Sequence, residues 1–188
     1  MSYFPAFLQL EKKNILIVGG GKIANDKLKH LLDFTNKIDL IANEFSDEIL
    51  TTIEEKSLYF EKRFYKEGDI ASYDIAILAI DDISLQASIY EESKRYKCLC
   101  NSVDSEAYCD FIFPSYIKKE ELTIAISTSG ASPSVAKYLR LYLQNLIPEN
   151  IGDFLKEMRK LRQELPKGKE RMKMLDSKVK KYFETWNK

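Results

Sequence analysis

The chain has 188 residues, 45% of them hydrophobic, which suits one compact domain or one domain with a smaller appendage. Basic and acidic residues balance at 29 each, and no apolar run approaches the ~20 residues that span a bilayer, so we expect neither a nucleic-acid nor a membrane partner. Three cysteines without C-x-x-C spacing argue against a disulfide framework and favour a cytoplasmic location.

Apolar runs alternate with helical patterns over the first 113 residues. The run Ile15–Val18 predicts a short buried strand, and a helical stripe follows it almost at once. Because strands and helices alternate at this spacing, we predict an α/β fold with a Rossmann-like, doubly wound parallel sheet. The predicted strands are 15–18, 38–42, 58–62, 74–80, 97–103 and 111–113, and the predicted helices are 22–34, 45–56 and 84–96.

The pattern changes after residue 113. The stretch "LTIAIST", residues 122–128, predicts a strand, and Ser132 with Pro133 predicts the cap and first turn of a helix that ends near Leu146. Apolar residues then repeat at helical spacing in two further stretches, separated by a break at Pro166 and Gly168. We therefore divide the chain into 1–113, a short segment 114–147, and a helical domain 148–188.

The first crossover carries the sequence G-x-G-x-x-A, formed by Gly19, Gly21 and Ala24 between a predicted strand and a predicted helix. Gly19 permits a tight turn, Gly21 lets a pyrophosphate approach the backbone, and Ala24 lets the helix pack closely. Glu44 follows the second strand, where a carboxylate binds the ribose hydroxyls and favours NAD over NADP. The alternatives are a glycine turn that binds nothing, and Asp39 as the acidic residue, although it lies early in its strand.

Two more acidic positions follow strands at the carboxyl edge of the predicted sheet. Asp81 would lie beside the cofactor, and the alternative for "AIDD" is a helix N-cap. Asp104 could accept a proton as a hydride departs, and the alternative is a turn or cap residue. His30 is the only histidine, so no Ser-His-Asp triad is predicted, and the alternating Cys98 and Cys100 are interpreted as small core residues rather than metal ligands.

Five motifs together resemble one family. The stretches "FLQL", "ILIVGGGKIANDK", "CNSVD", "FIFPS" and "IAISTSGASPSVAKYLR" are similar in order and spacing to the precorrin-2 dehydrogenase module of siroheme synthases, over nearly the whole chain. The resemblance implies NAD-linked oxidation of precorrin-2 to sirohydrochlorin. In several members the same module also inserts Fe²⁺ to give siroheme, with iron as a substrate.

The resemblance also assigns roles to residues and segments. It implies an NAD-binding Rossmann domain over 1–113, a homodimer joined through 114–147, and a C-terminal helical domain over 148–188. The catalytic aspartate of the family falls on Asp104. The cofactor contacts of the family fall on Lys22, Ile23, Asn43 and Glu44.

The sequence departs from the family pattern at a few places. Many relatives have proline where Asn43 stands, and glycine is common where Ser129 stands. Some siroheme synthases carry a phosphorylated serine where this chain has Thr128, so we transfer no regulation. The methyltransferase module fused to some relatives is not in this sequence, and we expect precorrin-2 to come from another protein.

A substrate rich in carboxylates requires N–H groups and cations. The loop "STSGASPS" opens a predicted helix, which is a natural anion site, and Ser127, Thr128, Ser132, Lys137 and Arg140 are the candidate contacts. The alternative for the three hydroxyls is ordinary turn and cap chemistry. The last 33 residues hold 12 basic and five acidic side chains, a net charge of +7. This excess suggests an acidic ligand, a nucleic acid or the chain's own acidic surface as its partner, and the alternative is a solvated helix face.

Two other functions stay open at this point. A nucleotide-sensing Rossmann module would bind NAD without catalysis, and it would need neither the carboxylate at the sheet edge nor the basic later segments. A chelatase without redox activity would insert a metal into sirohydrochlorin and would not reduce NAD⁺.

Overall fold

The computed structural model describes residues 3–103 and 105–187. Asp104, the proposed proton acceptor, therefore lies outside the described residues. The chain divides into two compact units, Tyr3–Ile112 and the part of the chain from Phe113 onward.

The first unit contains a five-stranded sheet in the order β3-β2-β1-β4-β5, and every neighbouring pair is parallel. This confirms the predicted Rossmann-like α/β fold. The strands are β1 Ile15–Val18, β2 Ile38–Ala42, β3 Phe60–Lys62, β4 Ile75–Leu78 and β5 Leu99–Ser102. The helices are α1 Lys22–Leu32, α2 Asp47–Lys56 and α3 Ile83–Tyr96, with short 3₁₀ helices at Asp69–Ser72 and Glu106–Tyr108.

Helices cover both faces of this sheet. Helices α1 and α2 contact each other, and α3 contacts the 3₁₀ helix Asp69–Ser72. The cluster on the α3 face includes Leu16 and Val18 of β1 with Ile89 of α3. Ile15 and Ile17 point to the opposite face because side chains alternate along a strand. All residues of β1 and β4 are buried, which explains why both strands read as unbroken apolar runs.

The predicted strand 111–113 is wrong. The chain returns along the free edge of β5, where the N–H of Asp110 donates to the carbonyl of Cys100 at 2.7 Å. The other bonds along this edge use side chains: Asp110 Oδ2 accepts from the N–H of Cys100 at 2.9 Å, and Asn101 Nδ2 donates to the carbonyl of Phe111 at 2.8 Å. Because side-chain groups replace the backbone ladder, this segment covers the edge without forming a sixth strand.

The second unit begins with an antiparallel hairpin of β6 Ser115–Lys119 and β7 Leu122–Ile126, followed by three helices. Strand β6 was not predicted, whereas the predicted cap of the next helix is present, with Ser132 Oγ accepting from the N–H of Val135 at 3.3 Å. The helices are α4 Pro133–Leu146, α5 Ile151–Glu164 and α6 Lys169–Glu184.

A small core holds this unit together. Ile117, Ile147 and Ile151 form its buried centre. The ring of Phe154 stacks on that of Tyr182 with 3.8 Å between centroids. Among the residues that the structure describes, no helix is both long enough and apolar enough to cross a membrane.

Candidate functional site

Three loops meet at the carboxyl edge of the parallel sheet. The N–H of Gly19 donates to the carbonyl of Ile41 at 2.9 Å, and the N–H of Ala79 donates to the carbonyl of Val18 at 2.8 Å. The N–H of Ser46 donates to the carbonyl of Gly20 at 2.9 Å. The loops after β1, β2 and β4 are therefore fixed to one another, at the edge where open α/β sheets bind ligands.

Two of the three consecutive glycines are required by this meeting of loops. Gly19 has φ of +132°, and a Cβ there would lie 2.1 Å from the carbonyl oxygen of Ala79. A Cβ on Gly20 would lie 2.1 Å from the carbonyl oxygen of Glu44. Gly20 is not part of the G-x-G-x-x-A pattern, and only the run of three glycines in the sequence could have indicated its role.

Gly21 is different, because the fold does not require a glycine there. Its φ of −89° and ψ of −169° are open to other residues, and a Cβ would meet nothing within 4 Å. Gly21 is the N-cap of α1, where the first backbone N–H groups have no intrahelical acceptor and the helix dipole is positive. The residues present therefore fit an anionic group held against the backbone, as the diphosphate of a dinucleotide would be.

The other predicted residues of the crossover lie on the first turn of α1. Lys22 and Ile23 are exposed beside the open space at Gly21. Ala24 is fully buried, so it shapes the site by letting α1 pack on the sheet and offers no surface to a ligand. This agrees with the reason for a small residue at that position.

Asn43 and Glu44 are exposed just beyond β2, and the backbone of Glu44 lies against Gly20. The competing acid, Asp39, has a different role: its Oδ2 accepts a hydrogen bond from the hydroxyl of Tyr73 at 2.8 Å. Burial, reinforced by this bond to Asp39, raises the pKa of Tyr73 above its ordinary value. Of the two acids, Glu44 is the one exposed at the carboxyl end of β2, so it stays the candidate for the ribose.

The loop after β4 carries two adjacent acids, Asp81 and Asp82, whose surroundings differ. Asp82 is the N-cap of α3, with its Oδ1 accepting from the N–H of Leu85 at 3.0 Å and from Ser84 Oγ at 2.6 Å. These bonds, that from Ser84 first, hold the pKa of Asp82 below its usual value. Asp82 thus fulfils the cap alternative, while Asp81 stays exposed at the edge of the sheet.

Gln86 is a residue of this region that sequence reasoning missed. It is 4% exposed; its Nε2 donates to the carbonyl of Ile80 at 2.6 Å and its Oε1 accepts from Ser102 Oγ at 2.7 Å. One buried amide therefore ties the loop after β4 to the end of β5. A glutamine inside a helical stripe gives no sign of this in the sequence.

The loop before α4 satisfies much of its own hydrogen bonding. Thr128 Oγ1 accepts from the N–H of Ser132 and donates to its carbonyl, both at 3.1 Å. Ser127 Oγ accepts from the N–H of Ser129 at 3.0 Å and keeps its own hydrogen for another partner. Ser129, which stands where glycine is common, has φ of +50° in the left-handed region. For Thr128 and Ser132 the turn and cap interpretation is therefore the better one.

The two cations on α4 differ in their surroundings. Lys137 is exposed, and Arg140 Nη1 donates to Gln144 Oε1 at 3.1 Å one turn further along. Within residues 3–103 and 105–187, no group of three or more His, Cys, Asp or Glu is arranged to hold a metal ion. Cys98 and Cys100 are buried, and burial raises the pKa of the Cys98 thiol to about 12.

A family model described as "Putative NAD(P)-binding" matches residues 6–115. The match covers more than half of the chain, so the chain belongs to this NAD(P)-binding family. This is the class that the parallel sheet and the glycine crossover define.

Individual relatives of the chain belong to a narrower class of proteins than the family model describes. The siroheme synthases of Mannheimia succiniciproducens and of Neisseria meningitidis serogroup C are each 33% identical over 153 residues, which is 81% of this chain and 32% of those proteins. The chain therefore spans about one third of the length of these curated relatives. A solved structure named "SirC, precorrin-2 dehydrogenase" matches with a TM-score of 0.74 and 25% identity, covering 93% of this chain and 88% of that one. The resemblance found in the sequence is confirmed.

Proposed function

We propose that this chain is an NAD⁺-dependent dehydrogenase that oxidises precorrin-2 to sirohydrochlorin. The observation that carries the proposal is Gly21, a glycine that neither backbone conformation nor packing requires, at the open start of α1. An anionic ligand close to the backbone explains it. The substrate comes from the names of the relatives, siroheme synthase and precorrin-2 dehydrogenase.

The proposed reaction removes one hydride and one proton from precorrin-2. NAD⁺, when bound, accepts the hydride. The chain must supply a group for the proton, and the family resemblance assigns that role to Asp104. Because β1 and β5 belong to one parallel sheet, the glycine loop and the exit of β5 lie at the same edge.

Two features favour NAD⁺ over NADP⁺. The carboxylate of Glu44 is exposed after β2 and would repel a 2′-phosphate. Arg63, whose N–H donates to the carbonyl of Ala42 at 2.9 Å, is a nearby guanidinium that could attract one. Its guanidinium is already paired with Asp69 at 2.6 and 3.0 Å, and with Glu61 at 2.5 Å.

The carboxylates of precorrin-2 require a positive surface. We place Ser127, Lys137 and Arg140 in contact with them, because the Ser127 hydroxyl keeps a free hydrogen and both cations follow the start of α4. Thr128 and Ser132 support this surface by shaping the loop.

A turnover assay tests the proposal directly. The chain, mixed with enzymatically made precorrin-2 and NAD⁺, should form NADH and sirohydrochlorin in equal amounts. Asp104→Asn keeps the size of the side chain and removes the proton acceptor, so kcat should fall about 1,000-fold while NAD⁺ affinity is retained. Stabilisation of the wild type by NAD⁺ without turnover would contradict the proposal and favour the non-catalytic sensor.

Iron insertion stays a prediction from the resemblance. Adding Fe²⁺ after NAD⁺ is consumed, with and without the protein, would measure it as a faster appearance of the siroheme spectrum. Metal insertion with no NADH formation beforehand would favour the chelatase without redox activity.

We also propose that the chain forms a homodimer through α4. This helix exposes a stripe of large apolar residues spaced three and four positions apart, which a monomer would leave in water. Tyr138 and Tyr142 are 71% and 63% exposed, and tyrosine is enriched at interfaces. The stripe consists of Val135, Tyr138, Leu139, Tyr142 and Leu146.

A further inference from the structure

Arg63 lies directly after β3, at the carboxyl edge of the parallel sheet. Its N–H donates to the carbonyl of Ala42, the last residue of β2, at 2.9 Å. Neighbouring strands are about 4.8 Å apart, so the side chain of Arg63 starts beside the loop that carries Asn43 and Glu44. An arginine at this place is what a 2′-phosphate on the ribose of a dinucleotide would require.

The guanidinium of Arg63 is bound by two carboxylates. Its Nη1 and Nη2 donate to the two carboxylate oxygens of Asp69 at 2.6 and 3.0 Å, and its Nε donates to Glu61 Oε2 at 2.5 Å. Nη1 also donates to the carbonyl of Phe64 at 3.1 Å. A guanidinium binds a phosphate through two parallel N–H groups, from Nη1 with Nη2 or from Nε with Nη2. Asp69 occupies the first pair, and Glu61 occupies the Nε–H of the second.

Asp69 is itself fixed in place. Its Oδ2 also accepts from the N–H of Lys66 at 2.8 Å, and its side chain is 14% exposed. The N–H of Gly68 donates to the buried carboxylate of Glu92 at 2.6 Å, which anchors the turn before Asp69. Burial alone would raise the pKa of Asp69, but the bonds from Arg63 and from the N–H of Lys66 outweigh it and hold that pKa below its usual value. Asp69 is therefore ionised at neutral pH and stays paired with Arg63.

We infer that Asp69 is a specificity-determining residue that prevents Arg63 from binding the 2′-phosphate of NADP⁺, an inference that rests on the proposed function. The site would then reject NADP⁺ although an arginine lies beside the proposed ribose position, because the charge of that arginine is neutralised and its N–H groups are occupied. Glu61 contributes less, since it binds one N–H only. Glu44 would repel the phosphate directly, whereas Asp69 removes the attraction that Arg63 would otherwise exert.

The ion pair between Arg95 and Glu67 provides a matched control, with Arg95 Nη2 2.6 Å from Glu67 Oε1. Glu67→Gln removes the same charge as Asp69→Asn and also leaves an arginine without its carboxylate. Arg95 belongs to the last turn of α3, which has 14 residues and begins just after β4, so it lies about 20 Å along the helix from the carboxyl edge of the sheet. A gain in NADP⁺ affinity that came from net charge alone would appear in both variants. A gain through Arg63 would appear only in Asp69→Asn.

The experiment measures NAD⁺ and NADP⁺ affinity by calorimetry, with thermal unfolding of each variant, for the wild type, Asp69→Asn, Glu61→Gln, Glu67→Gln and the double variant Asp69→Asn/Arg63→Gln. We expect Asp69→Asn to tighten NADP⁺ binding at least ~10-fold, with NAD⁺ affinity within ~2-fold of wild type. Glu61→Gln lies on the edge strand, leaves the turn at Asp69 intact and should tighten NADP⁺ binding ~3-fold. The double variant should bind NADP⁺ no better than the wild type. The gain in Asp69→Asn should shrink as salt concentration rises, because salt screens the attraction between charges.

The two proposals fail in different ways. If the wild type binds NAD⁺ and oxidises precorrin-2 while NADP⁺ affinity is unchanged in both Asp69→Asn and Glu61→Gln, the specificity role is wrong and the proposed function stands. An equal gain in Glu67→Gln and Asp69→Asn, or a gain that persists in the double variant, would also overturn the role of Asp69. A wild type that binds NAD⁺ and NADP⁺ equally well would overturn the specificity role, and a wild type that binds neither would overturn both proposals.

Discussion

The two units of the chain differ in how completely each buries its own apolar residues. In the first, α1 has 11 residues and buries four of them, and β1 is buried throughout. In the second, α4 has 14 residues and buries Ala136 alone, and α6 has 16 residues and buries Leu175 alone. The first unit therefore buries much of its apolar helix surface in its own core, whereas the second unit has a small core and leaves apolar helix surface exposed, which the proposed dimer would cover.

The largest effect should come from adding a side chain to a glycine of the first unit that lies in close contact with neighbouring backbone. Gly20→Ala would place a Cβ 2.1 Å from the carbonyl oxygen of Glu44 and 3.0 Å from the Cβ of Ala42. Both neighbours belong to the buried end of β2 and the loop fixed to it, so the backbone must shift. We expect the free energy of unfolding to fall by about 3 kcal/mol, measured by urea unfolding. An alanine variant as stable as the wild type would show that these loops adapt.

Gly21→Ala should weaken NAD⁺ binding without destabilising the fold. Its Cβ would project into open space and its backbone is extended, so stability should change little. NAD⁺ affinity should fall about 100-fold, or about 2.7 kcal/mol, because the Cβ occupies the place of the diphosphate. Gly168→Ala is the matched control: it is also an N-cap glycine with open space around it, at the start of α6. Calorimetric NAD⁺ titration should show a loss for Gly21→Ala only.

The contrast between these glycines also shows what the sequence could and could not predict. The apolar run of β1 followed by glycines and a helical stripe predicted the crossover, because each signal is local. It could not tell that the fold requires a glycine at position 20 and does not require one at position 21. That difference depends on the backbone of Glu44, which comes from the loop after β2 and lies against Gly20 alone of the two.

Two errors in the strands predicted from the sequence also arise from contacts between distant parts of the chain. Strand β6 was missed because "SYIKK" buries only Ile117 and reads as polar. The apolar "FIF" at 111–113 is half-buried, but hydrogen bonds made by the side chains of Asn101 and Asp110 occupy the edge where a strand would pair. Gln86 contacts Ser102, which lies 16 residues further along the chain, so no local sequence pattern marked its role.

The third prediction concerns the surface of the second unit. Tyr142→Glu places a charge on the exposed stripe of α4, and we expect the dimer dissociation constant to rise about 30-fold, consistent with loss of an aromatic interface residue. Sedimentation velocity across a dilution series would measure it. Lys137→Glu changes charge on the same helix outside the stripe and should leave the dissociation constant unchanged. A wild-type chain that stays monomeric at high concentration would exclude the dimer.

A smaller effect is expected at the cofactor ribose. Glu44→Gln removes the charge that would repel a 2′-phosphate and keeps the hydrogen-bonding capacity of the side chain. The ratio of kcat/KM for NAD⁺ to that for NADP⁺ should fall about tenfold, about 1.4 kcal/mol. Asp39→Asn serves as the control, since Asp39 is bonded to Tyr73, and it should leave the ratio unchanged. Equal ratios in wild type and Glu44→Gln would show that residues other than Glu44 determine the preference between NAD⁺ and NADP⁺.

The smallest effect concerns how the stabilisation by a helix N-cap depends on pH in each of the two units. Asp82 caps α3 with a carboxylate whose pKa is lowered in the folded chain, first by Ser84 and then by the N–H of Leu85. Because the folded pKa lies below the unfolded one, the stabilisation is present above the ordinary value of about 3.9 and is lost as pH falls through the folded pKa. Asparagine is also a good cap but carries no charge. Asp82→Asn should therefore slightly lower the free energy of unfolding at pH near 7, and this difference should vanish at strongly acidic pH.

Ser132 caps α4 with a neutral hydroxyl, so the cost of Ser132→Ala should be the same at both pH values. Urea unfolding of the two variants and the wild type at neutral and acidic pH measures both differences. A cost of Asp82→Asn that does not change with pH would mean that the charge of Asp82 adds nothing to its cap. The two units would then not differ in how their helix starts respond to acid.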